Sequence, residues 1–500
     1  MAAKQLVNRA DFKSILPFLP PLKLQSSSNT LVWPNNKVIE ILQSLSKGPS
    51  QSRVDSGERF FETVSELRDS LALSYRNRLA RHTGEGFARF FDECLSSEEK
   101  DKWFKDIVPV MAKVLLKFPY IVQTHYKNSH SVFPGVADTA LRLLESQQSG
   151  VVFLARDLIA ALLACSFFCL FPSANRRAKD LQGINFDTLF TSIYEKNEEY
   201  QKHKIKFIMH YFERICSKRP DGYVSFERKA LSPCPTSQLW ANSAFPLCRF
   251  EVRSSGSIED HSGGSLEVDF ADRYLGGRVM TYGCVQEEIR FLINPELIVG
   301  MLFLPSMSDN EAIEMVGAER FSKYTGYKTK LQYSGDYVDR REVDSVGRRM
   351  SRVIAIDALP KAGTRQYRLE FLLREANKAF CGFLDQDKSQ QQMLPHDVGV
   401  ITGNWGCGVF GGDPEVKTVL QWLAVSQASR PFISYYTFGL EKLQNLDQVC
   451  EWILSQKWSV GDLWKRLVEY SSKRANKETK RGFFHYLIPT SEQSTSKYCK

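Results

Sequence analysis

The texture of the chain changes at Pro220-Asp221-Gly222, and that change constrains the fold more than any single motif. Before it, Asp101–Val122, Val151–Phe171 and Asn185–Cys216 carry apolar residues every three to four positions, the period of helices packed on one face. Pro109, Pro119, Pro172 and Pro220 punctuate them. After it come short β-rich runs: Tyr223–Phe226, Leu247–Val252, Leu266–Phe270, Leu297–Leu304, Val353–Ala358, Val398–Thr402 and Phe432–Phe438. Helical patterns at Val285–Leu292, Leu372–Leu384 and Pro414–Gln427 lie between several of them. Strands alternating with helices predict an α/β domain whose largely parallel sheet is covered by helices. The predicted division is a helical accessory domain over 1–220 with an irregular lead-in at 23–58, an α/β domain over 221–470, and a basic, solvated tail over 471–500. The polar stretch Asp385–Leu394 reads as a solvated loop.

Hydrophobic residues at 43% and charged residues at 25% exclude a disordered, collagen-like or disulfide-scaffold chain. No membrane span is expected. The most apolar run, Leu158–Phe171, falls short of the roughly 20 residues a crossing helix needs and reads as a buried core helix. Met1–Arg9 lacks the apolar core of a secretory signal. Eleven cysteines without a CxxC pair predict reduced thiols in the cytosol or nucleus, and no structural zinc. The net charge is +9, yet residues 221–450 hold 25 basic against 29 acidic side chains. An anionic ligand of that region is therefore expected to be held by backbone amides and helix ends. Long-range attraction falls to the rest of the chain.

Two places share one arrangement of strand, glycine-rich turn and helix. In one, Val398–Thr402 runs into the turn Gly403–Gly412, followed by Asp413 as N-cap and Pro414 at the first helical position. Glycines let amides approach a ligand closely, and a helix N-terminus behind them favours a phosphate or diphosphate. In the other, Val268-Asp269-Phe270 leads to Gly276-Gly277 and Gly283, then to Gln286-Glu287-Glu288 opening a helix. This joins an anion cradle to acid/base candidates. Neighbours on a helix diverge by about 100°, so the two glutamates cannot share one ligand as the flanking carboxyl pair of a typical glycosidase does. One catalytic carboxyl and one supporting partner is the sharper reading, their repulsion raising one pKa. The plainer alternatives stay open: glutamates at a helix start also complement its dipole, and glycines also serve tight turns. Tyr324-Thr325-Gly326-Tyr327 reads as an exposed loop whose rings could stack on a base or ribose, and Tyr435-Tyr436-Thr437-Phe438 lies near a predicted strand end.

In their order and wording, Val268–Ala271, Gly276-Gly277, Gln286–Phe291 with Asn294–Leu297, Tyr324–Tyr327, Gly403–Asp413 and Tyr436–Phe438 resemble the poly(ADP-ribose) glycohydrolases, in a plant-like form. The resemblance spans about residues 100 to 470. It implies a macrodomain-like mixed sheet flanked by helices, preceded by an all-helical accessory domain. The implied reaction is hydrolysis of the ribose-ribose O-glycosidic bond of poly(ADP-ribose), free or attached to modified proteins, without a metal or other cofactor. Carried over by position, Glu288 is the catalytic acid, Glu287 its neighbour on a ribose hydroxyl, and Asp269 and Phe270 stand near the catalytic ribose. Ile258, Glu259 and Gln286 match the adenine side, and Tyr327, beside Tyr324, matches a tyrosine that closes over the ligand. Gly406, Gly408, Val409 and Phe410 match the diphosphate loop, and Asn404 and Phe438 further lining positions.

Two positions depart from the family pattern. Arg278 replaces the third of three glycines, and Asp272 stands where asparagine is common. If position 278 needs a left-handed backbone, arginine there costs roughly 1 kcal/mol. The competing reading is then a macrodomain that binds the polymer and hydrolyses it weakly or not at all. The expected setting is a monomer of nucleus and cytoplasm in the DNA damage response, with no membrane and no sequence-specific nucleic-acid partner. Lys473-Arg474 and Lys480-Arg481 supply only a small basic cluster toward nuclear import.

Overall fold

The computed structural model describes residues 6, 8–25, 30–132, 139–196, 198–261, 264–385 and 398–488. Two compact units emerge, each assembled from separate stretches of chain. The first holds Met1–Glu227, Tyr274–Ser306 and Met315–Met350; the second holds Arg228–Arg273, Met307–Glu314 and Ser351–Lys500.

The first unit is mainly helical: α1 (Gly57–Ser70), α2 (Val108–Val132), α3 (Arg156–Phe167), α4 (Asp187–Lys196), α5 (Glu199–Ser217) and α6 (Gln286–Ile293). Its core is rich in aromatic rings. Phe87 stacks on Phe190 with centroids 3.7 Å apart, and Phe60 meets Phe168 edge-on at 5.1 Å. On α5, Tyr200, Lys204, Phe207, Ile208 and Tyr211 are buried at helical spacing, so a lysine sits inside an apolar stripe. The lead-in expected to be irregular contains a short hairpin, Lys23–Gln25 with Thr30–Val32, and a helix, Asn36–Leu45, capped by Asn35. One helix among the described residues, Ser97–Ser129, is long and apolar enough by length and composition to cross a membrane. The sequence places a helix here, at Asp101–Val122, but its most apolar run is Leu158–Phe171. Half of the long helix's apolar window is buried in the protein, Met111, Leu115, Phe118 and Val122 among the covered side chains.

Eight strands form one sheet: β1 (Gly150–Ala155), β2 (Tyr223–Ala230), β3 (Arg249–Arg253), β4 (Leu266–Asp269), β5 (Glu311–Val316), β6 (Arg352–Ala355), β7 (Val400–Gly403) and β8 (Phe432–Tyr436). Their order is β1-β2-β5-β6-β4-β7-β8-β3, and every pairing from β6 to β3 is parallel. The second unit covers its strands with α7 (Leu369–Phe383), α8 (Pro414–Gln427) and α9 (Val460–Ala475). Asp413 caps α8 as expected, accepting from the Glu415 amide at 3.1 Å, with Pro414 behind it.

Several expectations need correction. Leu297–Leu304 is not a strand: Pro295–Leu302 forms buried 3₁₀ turns begun by Pro295, because a continuous apolar run suits either form. β5 was missed because Glu311 and Glu314 look exposed in sequence. They are buried against Arg228, Lys229 and Arg352 on the neighbouring strands. β1 was read as the start of a helix that begins only at Arg156. The C-terminal segment is packed as far as residue 488: Phe483 and Phe484 are buried, and the Phe484 amide donates to Glu415 at 2.8 Å. Residues 386–394 of the proposed polar loop lie outside the described residues.

Candidate active site

Four neighbouring parallel strands of the second unit, β4, β7, β8 and β3, send their C-terminal ends to one edge of the sheet. That edge is where open α/β sheets bind ligands. β4 delivers Asp269 and Phe270, β7 the turn Asn404–Gly412, β8 Thr437 and Phe438, and β3 the segment carrying Ile258 and Glu259. Asp269, Ile258 and Glu259 are buried, Asp272 is half-buried, and Phe438 is about half exposed in a left-handed conformation (φ 50°). A side chain at Gly403 would stand 2.9 Å from Phe438 and 3.5 Å from Phe270, which places both rings beside the strand exit. Asn404 ties the exits together: its amide donates to the Thr437 carbonyl at 3.0 Å, and its carbonyl accepts from the Tyr435 hydroxyl at 3.1 Å.

The turn after β7 closes on itself. Trp405 donates to Gly403, Cys407 to Asn404, Gly411 to Gly408 and Gly412 to Gly406, at 2.7–3.1 Å. The amides of Gly406, Gly408, Val409 and Phe410 donate to no acceptor among the described residues. These are the four that the resemblance assigns to a diphosphate. Beneath them lies Lys417 of α8, which sequence reasoning missed. It is ion-paired with Glu375 and has its Nζ 4.0 Å from the Trp405 ring centre. Gly406 and Gly412 make room for it, since added Cβ atoms would fall 3.2 Å from its Nζ and 3.1 Å from its Cε. Burial drives its ammonium well below the usual lysine range.

The first unit holds the glutamates. Glu287 and Glu288 are buried in the first turn of α6, and the Gly276–Val285 loop folds back onto them. Gly276 N–H donates to Glu287 Oε1 at 2.7 Å; Arg278 N–H donates to Glu288 Oε1 at 2.9 Å and Val285 N–H to Oε2 at 2.8 Å. The two carboxylates thus bind different amides, as the divergence of neighbouring helical positions requires. The glycines clear their space. A Cβ on Gly277 (φ +53°) would lie 2.5 Å from Glu287 Oε2 and 2.6 Å from Glu288 Oε1; one on Gly283 would lie 2.7 Å from Glu288 Cδ.

This loop is therefore not the phosphate cradle its glycines suggested. The amide of Gly277 is also spent, on the Tyr274 carbonyl at 3.0 Å. Arg278 is not left-handed and its side chain is exposed, so the strain expected of a non-glycine there does not arise. Tyr324 lies in a hairpin, Ser322–Thr325 with Gln332–Asp336, that presents Tyr327 at its exposed tip. Gly326 (φ +75°) is required there, because a side chain would strike the Lys330 carbonyl. Partial burial and then the nearby Glu288 charge push the Tyr327 phenol up. Gln286, half-buried, opens α6.

Residues 237–445 match the family description "Poly (ADP-ribose) glycohydrolase (PARG), Macro domain fold", and residues 95–228 match its helical domain. "Poly(ADP-ribose) glycohydrolase 1" of Arabidopsis thaliana is 48% identical over 97% of this chain and 98% of that protein. The chain belongs to the poly(ADP-ribose) glycohydrolase family. "Probable poly(ADP-ribose) glycohydrolase 2" of the same plant is 49% identical over 96% of this chain and 98% of its own length. "Poly(ADP-ribose) glycohydrolase 1" of Caenorhabditis elegans is 35% identical over 51% of this chain and 33% of its own length. This glycohydrolase is thus of the plant type, with a macrodomain fold and a helical domain ahead of it.

Proposed function

We propose that the chain hydrolyses the ribose-ribose O-glycosidic bonds of poly(ADP-ribose), releasing ADP-ribose, with Glu288 as acid and then base. The carrying observation is the fixed Glu288 carboxyl, buried and held at each oxygen by one backbone amide. A carboxylate offers about four acceptor positions, so each oxygen keeps one toward a substrate. Glu288 protonates the departing 2′-oxygen as oxocarbenium character develops on the ribose, then takes a proton from the attacking water. Glu287 holds a ribose hydroxyl, and Asp269 stands near that ribose. The uncommitted amides of Gly406, Gly408, Val409 and Phe410, above the buried Lys417, receive the diphosphate. The resemblance assigns Ile258, Glu259 and Gln286 to the adenine side. It assigns further ligand contacts to Phe270, Asp272, Asn404 and Phe438 of the second unit and to Gly276, Gly277, Tyr324 and Tyr327 of the first.

The test is Glu288→Gln in the full chain. Release of ADP-ribose from purified polymer should be abolished while ADP-ribose binding survives; undiminished release would overturn the assignment. Strain at Arg278, one ground for the reading as a polymer binder with weak or no hydrolysis, does not arise on the ordinary backbone there. We further place the protein in nucleus and cytoplasm, as a monomer in the DNA damage response acting on free or protein-attached polymer. No membrane or sequence-specific nucleic acid enters this reading. The ten described cysteines, all free thiols, suit a reducing compartment. A fluorescent fusion confined to a secretory compartment would contradict that placement.

A further inference from the structure

The loop that holds Glu288 is itself held from the helical domain. Three successive carbonyls, of Thr281, Tyr282 and Gly283, accept hydrogen bonds from two side chains one turn apart on α5. Lys204 Nζ donates to Thr281 at 2.6 Å and to Gly283 at 2.7 Å, and the Tyr200 hydroxyl donates to Tyr282 at 3.3 Å. The Tyr282 hydroxyl donates to Glu195 at 2.6 Å, and its ring lies 4.1 Å from the Lys196 ammonium. Within the loop, the amides of Thr281 and Gly283 donate to the Arg278 carbonyl at 3.0 and 3.1 Å. Lys204 is therefore one turn of chain away from the Arg278 and Val285 amides that grip Glu288. A fully buried lysine is costly unless its donors are satisfied, and here two of the three are spent on this loop.

We propose that Lys204 is a positioning residue for hydrolysis, fixing the 278–285 loop so that Glu288 is presented in its productive orientation. The inference rests on the assignment of Glu288 above. Burial lowers the Lys204 ammonium to about 8, against the opposing pull of Cys284 and Glu288, the groups that face it. The tie is charge-assisted below that pH and weakens as pH rises through it, because hydrogen bonds from a charged donor are roughly twice as strong as neutral ones.

The experiment uses the full chain as wild type, Lys204→Met and Lys204→Gln. It measures kcat and KM on purified polymer between about pH 7 and 9, ADP-ribose affinity, and hydrogen exchange of the amides at 278 and 285. Lys204→Met should lower kcat about 10²-fold, the scale of a 1 Å misplacement, with KM and ADP-ribose affinity within about threefold. Lys204→Gln keeps donors for the two carbonyls. It should recover part of kcat at neutral pH and, like the Met variant, lack the alkaline fall expected of wild type near 8. Exchange at 278 and 285 should accelerate in Lys204→Met. Retained kcat in that variant, or equal loss of kcat and ADP-ribose affinity in both variants, overturns the proposal. Unchanged exchange at 278 and 285 overturns it whatever Glu288 does. Accelerated exchange alongside full release by Glu288→Gln would uphold the loop tie and fell only the catalytic assignment.

Discussion

Alanine at position 283 separates the placement of the Glu288 carboxyl from other contributions to activity. Gly283 is not left-handed, so alanine meets no backbone strain there. By restricting the unfolded chain it even favours folding by about 0.4–1 kcal/mol. The added Cβ, however, would stand 2.7 Å from Glu288 Cδ and 2.6 Å from Arg278 Cβ, where ordinary contact begins at 3.4 Å. The carboxyl carbon must retreat by about 0.7 Å. That movement stretches the 2.9 and 2.8 Å bonds from the Arg278 and Val285 amides. Losing one hydrogen bond to a charged group costs about 1.5–3 kcal/mol, which the backbone gain partly offsets. Stability should thus fall by about 1–2 kcal/mol. Catalysis should fall much further, by about 10²-fold in kcat, since displacements of this size misalign reacting groups. ADP-ribose affinity should hold, because the uncommitted amides proposed for the diphosphate belong to the turn after β7. The assay is steady-state release of ADP-ribose from polymer, with calorimetric binding and urea unfolding alongside. Adding Arg278→Gly removes one of the three crowding atoms, the others being Glu288 Oε1 and Cδ, and should restore part of the loss, a non-additivity expected of neighbours in contact. A kcat within about threefold of wild type in Gly283→Ala would refute the claim that this glycine exists to seat the carboxyl.

Arg278→Gly alone should change kcat by less than about threefold, because the arginine backbone is unstrained and its side chain exposed; a large gain in turnover would revive the impaired-binder reading. Glu314 gives a pH signature in stability: burial raises its pKa, but Arg352 at 2.8 Å and Lys229 at 2.5 Å outweigh this and hold it far below the usual range. A depressed folded pKa means that its contribution is complete above about 4.5 and is lost as pH falls toward the folded value. Urea unfolding across that window should steepen with acid in wild type and less so in Glu314→Gln; equal slopes would exclude this carboxylate as the source.

The sequence exposed the alternation of strands and helices after residue 220 because most of those strands are short, apolar and bounded by turn residues. It concealed β5, whose Glu311 and Glu314 are tolerated in the sheet only because Arg228, Lys229 and Arg352 arrive from neighbouring strands. Pairing of that kind is non-local, and no window of sequence contains it. Lys204 was hidden for a related reason, yet it left a trace. It interrupts a stripe that otherwise buries Tyr200, Phe207, Ile208 and Tyr211, a place where a solvated lysine would not be put. A charged residue on the apolar face of an amphipathic helix asks for a partner, and here the partner is a row of backbone carbonyls.

The two glycine clusters carry the same lesson further, since in sequence they look alike. Both follow a strand, both precede a helix, and both invite the reading of an anion cradle. What separates them is the destination of their amides. Around Gly276 and Gly277 the amides turn toward anions the protein itself supplies, the carboxylates two and three positions into the numbering of one helix start, Glu287 and Glu288. After β7 the helix begins with Asp413, whose carboxylate is occupied by the Glu415 amide and the Tyr367 hydroxyl and does not reach back into the turn. The turn's amides at 406, 408, 409 and 410 are left without an acceptor among the described residues. A glycine-rich turn is thus an anion site in both cases, and the anion is internal when acidic side chains at the following helix start fold back to meet the amides. Where the first helical turn offers no such side chain, the anion has to come from a ligand.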